Sequence, residues 1–258
     1  MTSENKEYET RRYGALETRI FDGQASLGAW AAEDLAEILK SAIAAKGCAN
    51  IIVATGNSQL ALMQALRKRD DIAWDRISVF HMDEYAGMSD EHPASFRRYI
   101  RENLTDVVKP KAFYGVDGDA DDLEAAMVAY AALLAANPAD ACVMGIGENG
   151  HLAFNDPPAD FETDDTIHVV TLDAACRQQQ VGEGHFATMD DVPTQALSLT
   201  VPALMRPPRL LVVVPESRKA EAVKAALTGP ITPEVPASIL QRQSHAVLYL
   251  DRESSALL

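Results

Sequence analysis

Residues 143–158 read V-M-G-I-G-E-N-G-H-L-A-F-N-D-P-P, an apolar run that passes through two glycines into a cluster of polar side chains. The apolar run is typical of the end of a buried strand. Gly145 and Gly147 then permit a tight turn in which backbone N–H groups approach a ligand closely. In open parallel α/β sheets, ligands bind in the crevice outside the carboxyl ends of the strands. If the sheet is of this kind, the chemistry of the protein lies in this loop.

His151 and Asp156 lie in this loop, five residues apart. At that spacing the carboxylate is close enough to orient the imidazole and raise its basicity. The alternative is a glycine-rich surface loop whose histidine and aspartate only satisfy nearby backbone groups. A lone His–Asp pair does not distinguish these interpretations, so spacing alone leaves both open.

Strand-like and helix-like segments alternate along most of the chain. Short β-branched or apolar runs predict strands, and apolar residues at helical spacing predict helices. The predicted strands are residues 16–21, 50–55, 77–82, 113–116, 141–145, 166–172, 196–201, 210–214 and 246–250. The predicted helices are residues 25–45, 60–66, 93–104, 121–134 and 217–227, with a short helical turn from residue 202. Residues 177–185 have no clear period.

This alternation, without internal repeats or an obvious linker, indicates an α/β fold. We expect a doubly wound, mainly parallel sheet with helices on both faces, in a Rossmann-like arrangement. Residues 1–15 are predicted to be a polar, loosely held N-terminal arm, and residues 16–258 a single α/β catalytic domain.

A small polar turn, Thr55-Gly56-Asn57-Ser58, separates the second predicted strand from the helix that follows. A strand, a polar turn and a helix N-terminus together bind phosphate through free N–H groups and hydroxyls. The turn is not a Walker A sequence, because no Gly-Lys-Ser/Thr follows it. A plain capped turn explains the same residues equally well.

Two adjacent carboxylates, Asp83 and Glu84, follow the predicted strand at residues 77–82. Partial burial at a strand end raises the pKa of a carboxyl group towards that of a general base. The simpler interpretation is a helix cap and a solvated turn.

Two cations, Arg218 and Lys219, lie in the first turn of the helix predicted at residues 217–227. Cations at a helix N-terminus oppose the helix dipole, so a bound anion would explain their position. An ordinary pair of solvated side chains is the alternative.

The composition excludes several classes of partner. The 258 residues carry a formal net charge of -15, and 47% of them are hydrophobic. Such an acidic chain is a poor partner for nucleic acid or an anionic membrane surface, whereas local cations still permit a small anionic substrate. Cys48, Cys142 and Cys176 lack metal-ligand spacing. Cys48 and Cys142 lie beside predicted strands and are predicted to be small core residues. Without an apolar signal core or a membrane-length apolar run, we expect a cytoplasmic protein.

Four blocks of sequence carry a resemblance to a known family. They are T-G-N-S at 55–58, F-H-M-D-E-Y-A-G with E-H-P-A-S-F within 80–96, G-I-G-E-N-G-H-L-A-F-N-D-P at 145–157, and S-R-K-A at 217–220. The chain resembles the glucosamine-6-phosphate isomerase/deaminase family, whose fold is shared with 6-phosphogluconolactonases. The blocks follow the family's order and span most of the chain.

The resemblance implies that glucosamine 6-phosphate is converted to fructose 6-phosphate and ammonia. Asp83 resembles the base that moves a proton between C2 and C1 of the open-chain sugar. His151 resembles the acid/base that opens the pyranose ring, with Asp156 as its partner and Asn149 beside them. We class this activity under hydrolases and under amino sugar and carbohydrate metabolism.

The resemblance also implies how the substrate is held. Its phosphate is expected to bind Thr55, Gly56, Asn57, Ser58 and Lys219, and Glu84, Gly147 and Arg177 complete the expected substrate-binding set. The expected partner is a small-molecule sugar phosphate, with neither metal nor organic cofactor, and a homo-oligomer is possible.

The chain departs from the family pattern at three places. Family deaminases commonly have Glu at Asp156, and many have Asp at Asn149. They also carry a second phosphate-binding arginine before an aromatic pair, where this chain has R-Q-Q-Q-V-G-E-G-H-F at 177–186. Our hypothesis is that His185 or Arg218 compensates for that arginine.

Three alternatives remain at this stage. A 6-phosphogluconolactonase-type hydrolase shares the G-x-G-E-x-G-H loop but typically continues into T-A-S-L-F-P, unlike this chain. An enzyme for another sugar phosphate, such as galactosamine 6-phosphate, is compatible with the altered residues 177–186. The third alternative is a non-catalytic sugar-phosphate sensor. Such a protein needs no proton-transfer base, so the presence of Asp83 argues against it.

Overall fold

The computed structural model describes residues 7–182, 184 and 186–258, which contain eleven strands in two sheets. In chain order the strands are β1 Glu9–Tyr13, β2 Leu16–Phe21, β3 Ala49–Val53, β4 Ile77–His81, β5 Asp83–Tyr85, β6 Ala112–Tyr114, β7 Ala141–Met144, β8 Ile167–Thr171, β9 Gln195–Leu199, β10 Leu210–Val214 and β11 Ala246–Asp251. Eight of them form the main sheet, in the order β1-β2-β11-β10-β7-β3-β4-β6. Every neighbouring pair in it is parallel except β1 with β2.

Eight α-helical segments connect and cover these strands in the described residues. They are α1 Gln24–Lys46, α2 Leu60–Arg67, α3 Phe96–Ile100, α4 Asp106–Val108, α5 Leu123–Ala136, α6 Ala174–Gly182, α7 Val201–Met205 and α8 Ala220–Thr228. A π-helical turn at Arg101–Thr105 joins α3 to α4. Short 3-10 turns lie at Asn57–Gln59, Trp74–Arg76, Met189–Asp191, Ser217–Lys219 and Pro236–Arg242.

The main sheet has a hydrophobic core on each face, because successive side chains of a strand point to opposite sides. In β3, Ile51 and Val53 pack into one core with Leu35 of α1, whereas Ile52 packs into the other with Tyr130 of α5. Helices α1 and α2 cover the first face, and α5, α7 and α8 contribute to the second. The predicted doubly wound, mainly parallel sheet is confirmed.

The N-terminal segment departs from the prediction. Residues 9–13 form β1, which pairs antiparallel with β2, so this part of the predicted loose arm is an edge strand. Aromatic contacts also hold the segment, because the Tyr8 ring lies 5.0 Å from Phe21 and 5.2 Å from Trp30. The structure gives no description of residues 1–6.

A second, three-stranded antiparallel sheet in the order β5-β9-β8 was not predicted. Its strand β5 begins at Asp83, two residues after β4 ends, where the simpler interpretation was a helix cap and a turn. The strand β5 is only three residues long, and its partner β9 lies more than a hundred residues away in the chain. Local sequence therefore carried little sign of it.

Two helices also differ from the prediction. The helix expected from Pro93 begins at Phe96, because the buried Ser95 caps α3 by accepting a hydrogen bond from the Arg98 N–H. The stretch around Arg177, which showed no clear period, forms α6.

In the part of the chain that the structure describes, no helix has both the length and the apolar character needed to span a membrane.

Candidate active site

A cleft lies at the carboxyl ends of the central strands. Its walls come from residues 54–59 after β3, Met82 and Asp83 after β4, residues 145–147 after β7, and Lys219 in the turn that follows β10. Parallel strands bring these segments to one edge of the sheet, as expected for a ligand crevice in a doubly wound fold.

Asp83 lines this cleft from β5. Its side chain is buried, with 6% of the residue exposed, and its Oδ1 has no hydrogen-bond partner among the described residues. Burial, and secondarily the charge of Glu84, raises the pKa of Asp83 well above its usual range. A carboxylate with such a raised pKa is suited to accepting a proton.

Glu84, expected to bind substrate, is not in the cleft lining. Its fully buried carboxylate accepts hydrogen bonds from the Ser95 hydroxyl at 2.7 Å, from three backbone N–H groups and from Nε of Arg97. Adjacent residues of a strand face opposite sides, so Asp83 and Glu84 cannot both line the cleft. We correct the prediction: Glu84 holds the start of α3.

His151 and Asp156 meet at the edge of the cleft. Nδ1 of His151 lies 3.1 Å from Oδ1 of Asp156, and His151 lines the cleft. Asn149 bridges the pair, because its Nδ2 donates to Asp156 at 3.0 Å and its Oδ1 accepts from the His151 backbone N–H at 3.0 Å. The two residues whose spacing suggested a pair therefore lie close together, and the orienting role of the carboxylate stays a prediction.

The environment of Asp156 favours the ionised form of its carboxylate. Burial works to raise the pKa of this carboxyl, but His151, Asn149 and the backbone N–H of Asp173 outweigh that effect, so its pKa is lowered. The ionised carboxylate of Asp156 therefore lies 3.1 Å from Nδ1 of His151.

Gly147 shapes the site through its missing side chain. A Cβ built on Gly147 would lie 2.2 Å from Nε2 of His151, so the ring rests directly on the glycine backbone. The Gly147 N–H also donates to the His151 carbonyl at 3.0 Å. Only glycine permits this close approach.

The predicted phosphate-binding residues lie together. Residues 55–58 line the cleft, and Gly56 has a φ of 93°, which lets the turn reverse into the 3-10 turn before α2. The Tyr99 hydroxyl anchors this turn by donating to the Gly56 carbonyl at 2.8 Å. Lys219 lines the same cleft and is only 3% exposed.

Arg177 is not in the cleft lining, contrary to the prediction. Its guanidinium donates to the carbonyls of Met189 and Val192, so it ties α6 to the following loop. Arg218, proposed to compensate for the missing family arginine, pairs with Glu216 and Glu148 and does not line the cleft either. His185 lies outside the described residues.

Four residues that line the cleft were not among the predicted site residues. Gln179 and Gln180 come from α6, and Gln180 accepts a hydrogen bond from the Tyr85 hydroxyl at 2.8 Å. Phe96 and Phe154 form an apolar wall, with ring centroids 5.5 Å apart and planes 17° from parallel. The glutamines follow Arg177 directly, so recognising α6 as a helix would have drawn attention to them.

One group of described residues has the composition of a metal site. Ligand atoms of His151, Asp156 and Cys176 lie within 4.8 Å of one another. Burial raises the pKa of the Cys176 thiol, however, which disfavours the thiolate that binds metals. Asp156 is already held by Asn149 and Asp173. These residues therefore fit a packed proton-transfer pair better than a metal centre.

Comparison with known protein families is consistent with this geometry. The family described as glucosamine-6-phosphate isomerases/6-phosphogluconolactonase matches residues 22–249. The chain belongs to this family. A relative from Bacillus cytotoxicus, named glucosamine-6-phosphate deaminase, is 34% identical over 229 residues, which cover 87% of this chain and 86% of the relative.

Solved structures of the family agree with the fold. A monomeric glucosamine-6-phosphate deaminase superposes with a TM-score of 0.85 at 29% identity, covering 93% of this chain and 99% of that one. A 6-phosphogluconolactonase from Shewanella baltica has a TM-score of 0.76 at 20% identity, with 91% and 97% covered. The second likeness extends to the fold alone.

The family assignment corrects one expectation. We classed the activity under hydrolases, but the similar relatives are named as deaminases, and the solved structure with the higher TM-score is a deaminase too. The isomerase and carbohydrate-metabolism assignments stand, and the hydrolase assignment is wrong.

Proposed function

We propose that this family member converts glucosamine 6-phosphate to fructose 6-phosphate and ammonia. The observation that carries the proposal is one cleft that holds both a buried Asp83 with an unpartnered oxygen and the His151–Asp156 pair. The names of the similar relatives support this choice of substrate.

In this proposal His151 opens the sugar ring. Its Nδ1 faces Asp156, so its other nitrogen is available to exchange a proton with the ring oxygen and the C1 hydroxyl. Asp156 and Asn149 hold the imidazole in place while its charge changes. Asn149 and Asp156 thus fill these roles in place of the Asp and Glu that many family members have at the two positions.

Asp83 then acts on the open-chain aldehyde. The carboxylate takes the proton from C2 and returns it to C1 while the C1 oxygen gains a proton, which leaves an imine at C2. A water molecule adds to this imine and ammonia leaves, which gives the C2 ketone of fructose 6-phosphate. The raised pKa of Asp83 makes its carboxylate a better base for this step than an exposed aspartate.

The phosphate is proposed to bind at the other end of the cleft. The turn at residues 55–58 offers small hydroxyl, amide and backbone N–H donors at the start of the segment that leads into α2. Lys219 adds a buried cation on the facing wall. Gly147 supports His151, and neither Glu84 nor Arg177 is part of this proposed binding set.

Three coarser expectations stay proposals. Residues 16–258 are proposed to act as one catalytic domain, and the protein is proposed to work in the cytoplasm. A homo-oligomer stays a prediction; one solved relative is described as monomeric.

The test is ammonia release by the purified protein, offered glucosamine 6-phosphate and galactosamine 6-phosphate side by side. We expect release from the first and its loss in Asp83→Asn, with the circular dichroism melt of the variant recorded to exclude unfolding. Release from galactosamine 6-phosphate alone keeps the chemistry and changes the substrate. Release from neither, with 6-phosphogluconolactone consumed, contradicts the proposal.

A further inference from the structure

Glu84 lies next to Asp83 in β5 but on the opposite side of the strand. Asp83 lines the cleft, whereas Glu84 is fully buried beneath the start of α3. Close packing leaves it little freedom, since a Cβ on Gly118 would lie 2.8 Å from Cγ of Glu84. A buried charge this near a proposed base needs a physical explanation, because burying a carboxylate is costly.

The contacts of Glu84 fix the position of one wall of the cleft. Its Oε1 accepts the Phe96 backbone N–H at 3.1 Å, and its Oε2 accepts the Ser95 hydroxyl at 2.7 Å. Phe96 in turn stacks on Phe154, and both rings line the cleft. Glu84 therefore holds the first residues of α3 in the position that shapes the cleft opposite the polar loop.

The charge of Glu84 is only partly offset by Arg97. Nε of Arg97 lies 3.3 Å from Glu84, while the same guanidinium lies 3.2 Å from Asp117 and 2.7 Å from Asp119. One cation thus faces three carboxylates. Asp117 and Asp119 are exposed and screened by water, but Glu84 is not. A residual negative charge remains beside Asp83.

We propose that Glu84 is a positioning residue that fixes Phe96 against the cleft and keeps a partly neutralised negative charge beside Asp83. This inference rests on the proposed function, in which Asp83 is the base. The charge favours a proton on Asp83, so Glu84 makes Asp83 a stronger base, and Arg97 moderates the effect.

The other titratable groups that interact with Asp83 do not supply this charge. Tyr130 of α5, Cys142 of β7 and Cys176 of α6 are buried, which raises the pKa of each and keeps it neutral. His81 beside Arg97 is also neutral, because burial lowers its pKa to about 3. His151 and Lys219 share the cleft with Asp83, and the variants below leave both unchanged.

The experiment measures the pH profile of kcat/KM for ammonia release. The acid limb of this profile, where activity falls as the pH is lowered, reports ionisation of the base in the free enzyme. In Glu84→Gln we expect the limb to move to lower pH by on the order of 1 unit, because the neighbouring negative charge is gone. In Arg97→Gln we expect it to move to higher pH, because Glu84 is no longer offset. General loosening of α3 would not produce opposite shifts.

Two controls separate charge from structure. Arg98→Gln removes a cation from the same helix that pairs with Glu102 and does not contact Glu84 through its side chain, so its limb should stay in place. Glu84→Asp keeps the charge, so its limb should lie near that of the wild type even if kcat falls. If Glu84→Gln does not fold, Arg97→Gln and Glu84→Asp still decide the question.

The outcomes distinguish this inference from the proposed function. Activity that survives in Asp83→Asn removes the base assignment and this inference with it. An inactive Asp83→Asn, together with unmoved limbs in Glu84→Gln and Arg97→Gln, overturns the role of Glu84 and leaves the proposed function standing. Shifts of the same sign in both variants also overturn it, because only the charge model requires opposite signs.

Discussion

At the residue scale, the site depends on how closely side chains approach one another. The His151 ring rests on Gly147, and Asn149 and Asp156 hold its position. Proton transfer is sensitive to misplacement of the catalytic group, so the absence of a side chain at position 147 is a functional requirement.

The first prediction concerns Gly147→Ala. The added methyl overlaps the His151 ring, which must tilt, and we expect kcat/KM for ammonia release to fall about 100-fold. The matched control is Gly23→Ala, because a Cβ on Gly23 meets nothing within 4 Å. An active Gly147→Ala with unchanged kcat/KM would show that the ring has room to move.

At the scale of an element, α6 contains the first part of residues 177–186, one of the three places where this chain departs from the family pattern. It contributes two glutamine side chains to the cleft, and Gln180 is anchored to Tyr85, a fully buried residue of β5. The helix thus connects the cleft to the same strand that carries Asp83. Arg177 stabilises the end of this segment by binding backbone carbonyls.

The second prediction concerns Gln180→Leu. Leucine is similar in size but removes the acceptor of the Tyr85 hydroxyl and a polar group from the cleft, so we expect kcat/KM to fall about tenfold. Gln178→Leu is the control, since Gln178 lies on the same helix but is exposed and does not line the cleft. Equal effects in the two variants would mean that α6 acts only through its stability.

At the scale of the whole molecule, packing between helices α1 and α2 sets the position of the turn at residues 55–58. Helices α1 and α2 cross closely on one face of the main sheet, and α2 begins where the turn at residues 55–58 ends. A Cβ on Gly28 of α1 would lie 2.6 Å from Ala61 of α2. The glycine therefore allows the approach that fixes α2 on the sheet.

The third prediction concerns Gly28→Ala. Alanine in a helix interior normally stabilises by about 1 kcal/mol relative to glycine. Here the methyl meets the backbone of α2, so we expect the free energy of unfolding to fall by roughly 1–3 kcal/mol. Urea unfolding measures this, with Gly23→Ala as the control. A more stable Gly28→Ala would contradict the close approach of the two helices.

Much of this organisation was predictable from local sequence. The strand at Leu16–Phe21 was predicted with its observed bounds, and the helix expected at residues 25–45 extends one residue further at each end. The crevice was predicted because glycines and polar side chains follow three apolar strands. The elements that local sequence did not predict are short or polar. Because β1, β5 and α6 lack a strong hydrophobic period, tertiary contacts decide whether they form.

The amino-acid sequence by itself determined the class of fold and the edge of the sheet that carries the cleft, because periodicity and the polar residues after the strands indicate both. Its resemblance to the family indicated Asp83, His151 and Asp156 as candidate site residues. Only the tertiary structure decided that Asp83 faces the cleft while Glu84 faces α3. That choice depends on the pairing of β5 with β9, in which Asp83 lies opposite Ser198. Pairing with a partner strand determines which side chains of a strand face the cleft. A partner so far along the chain is found only when the chain has folded.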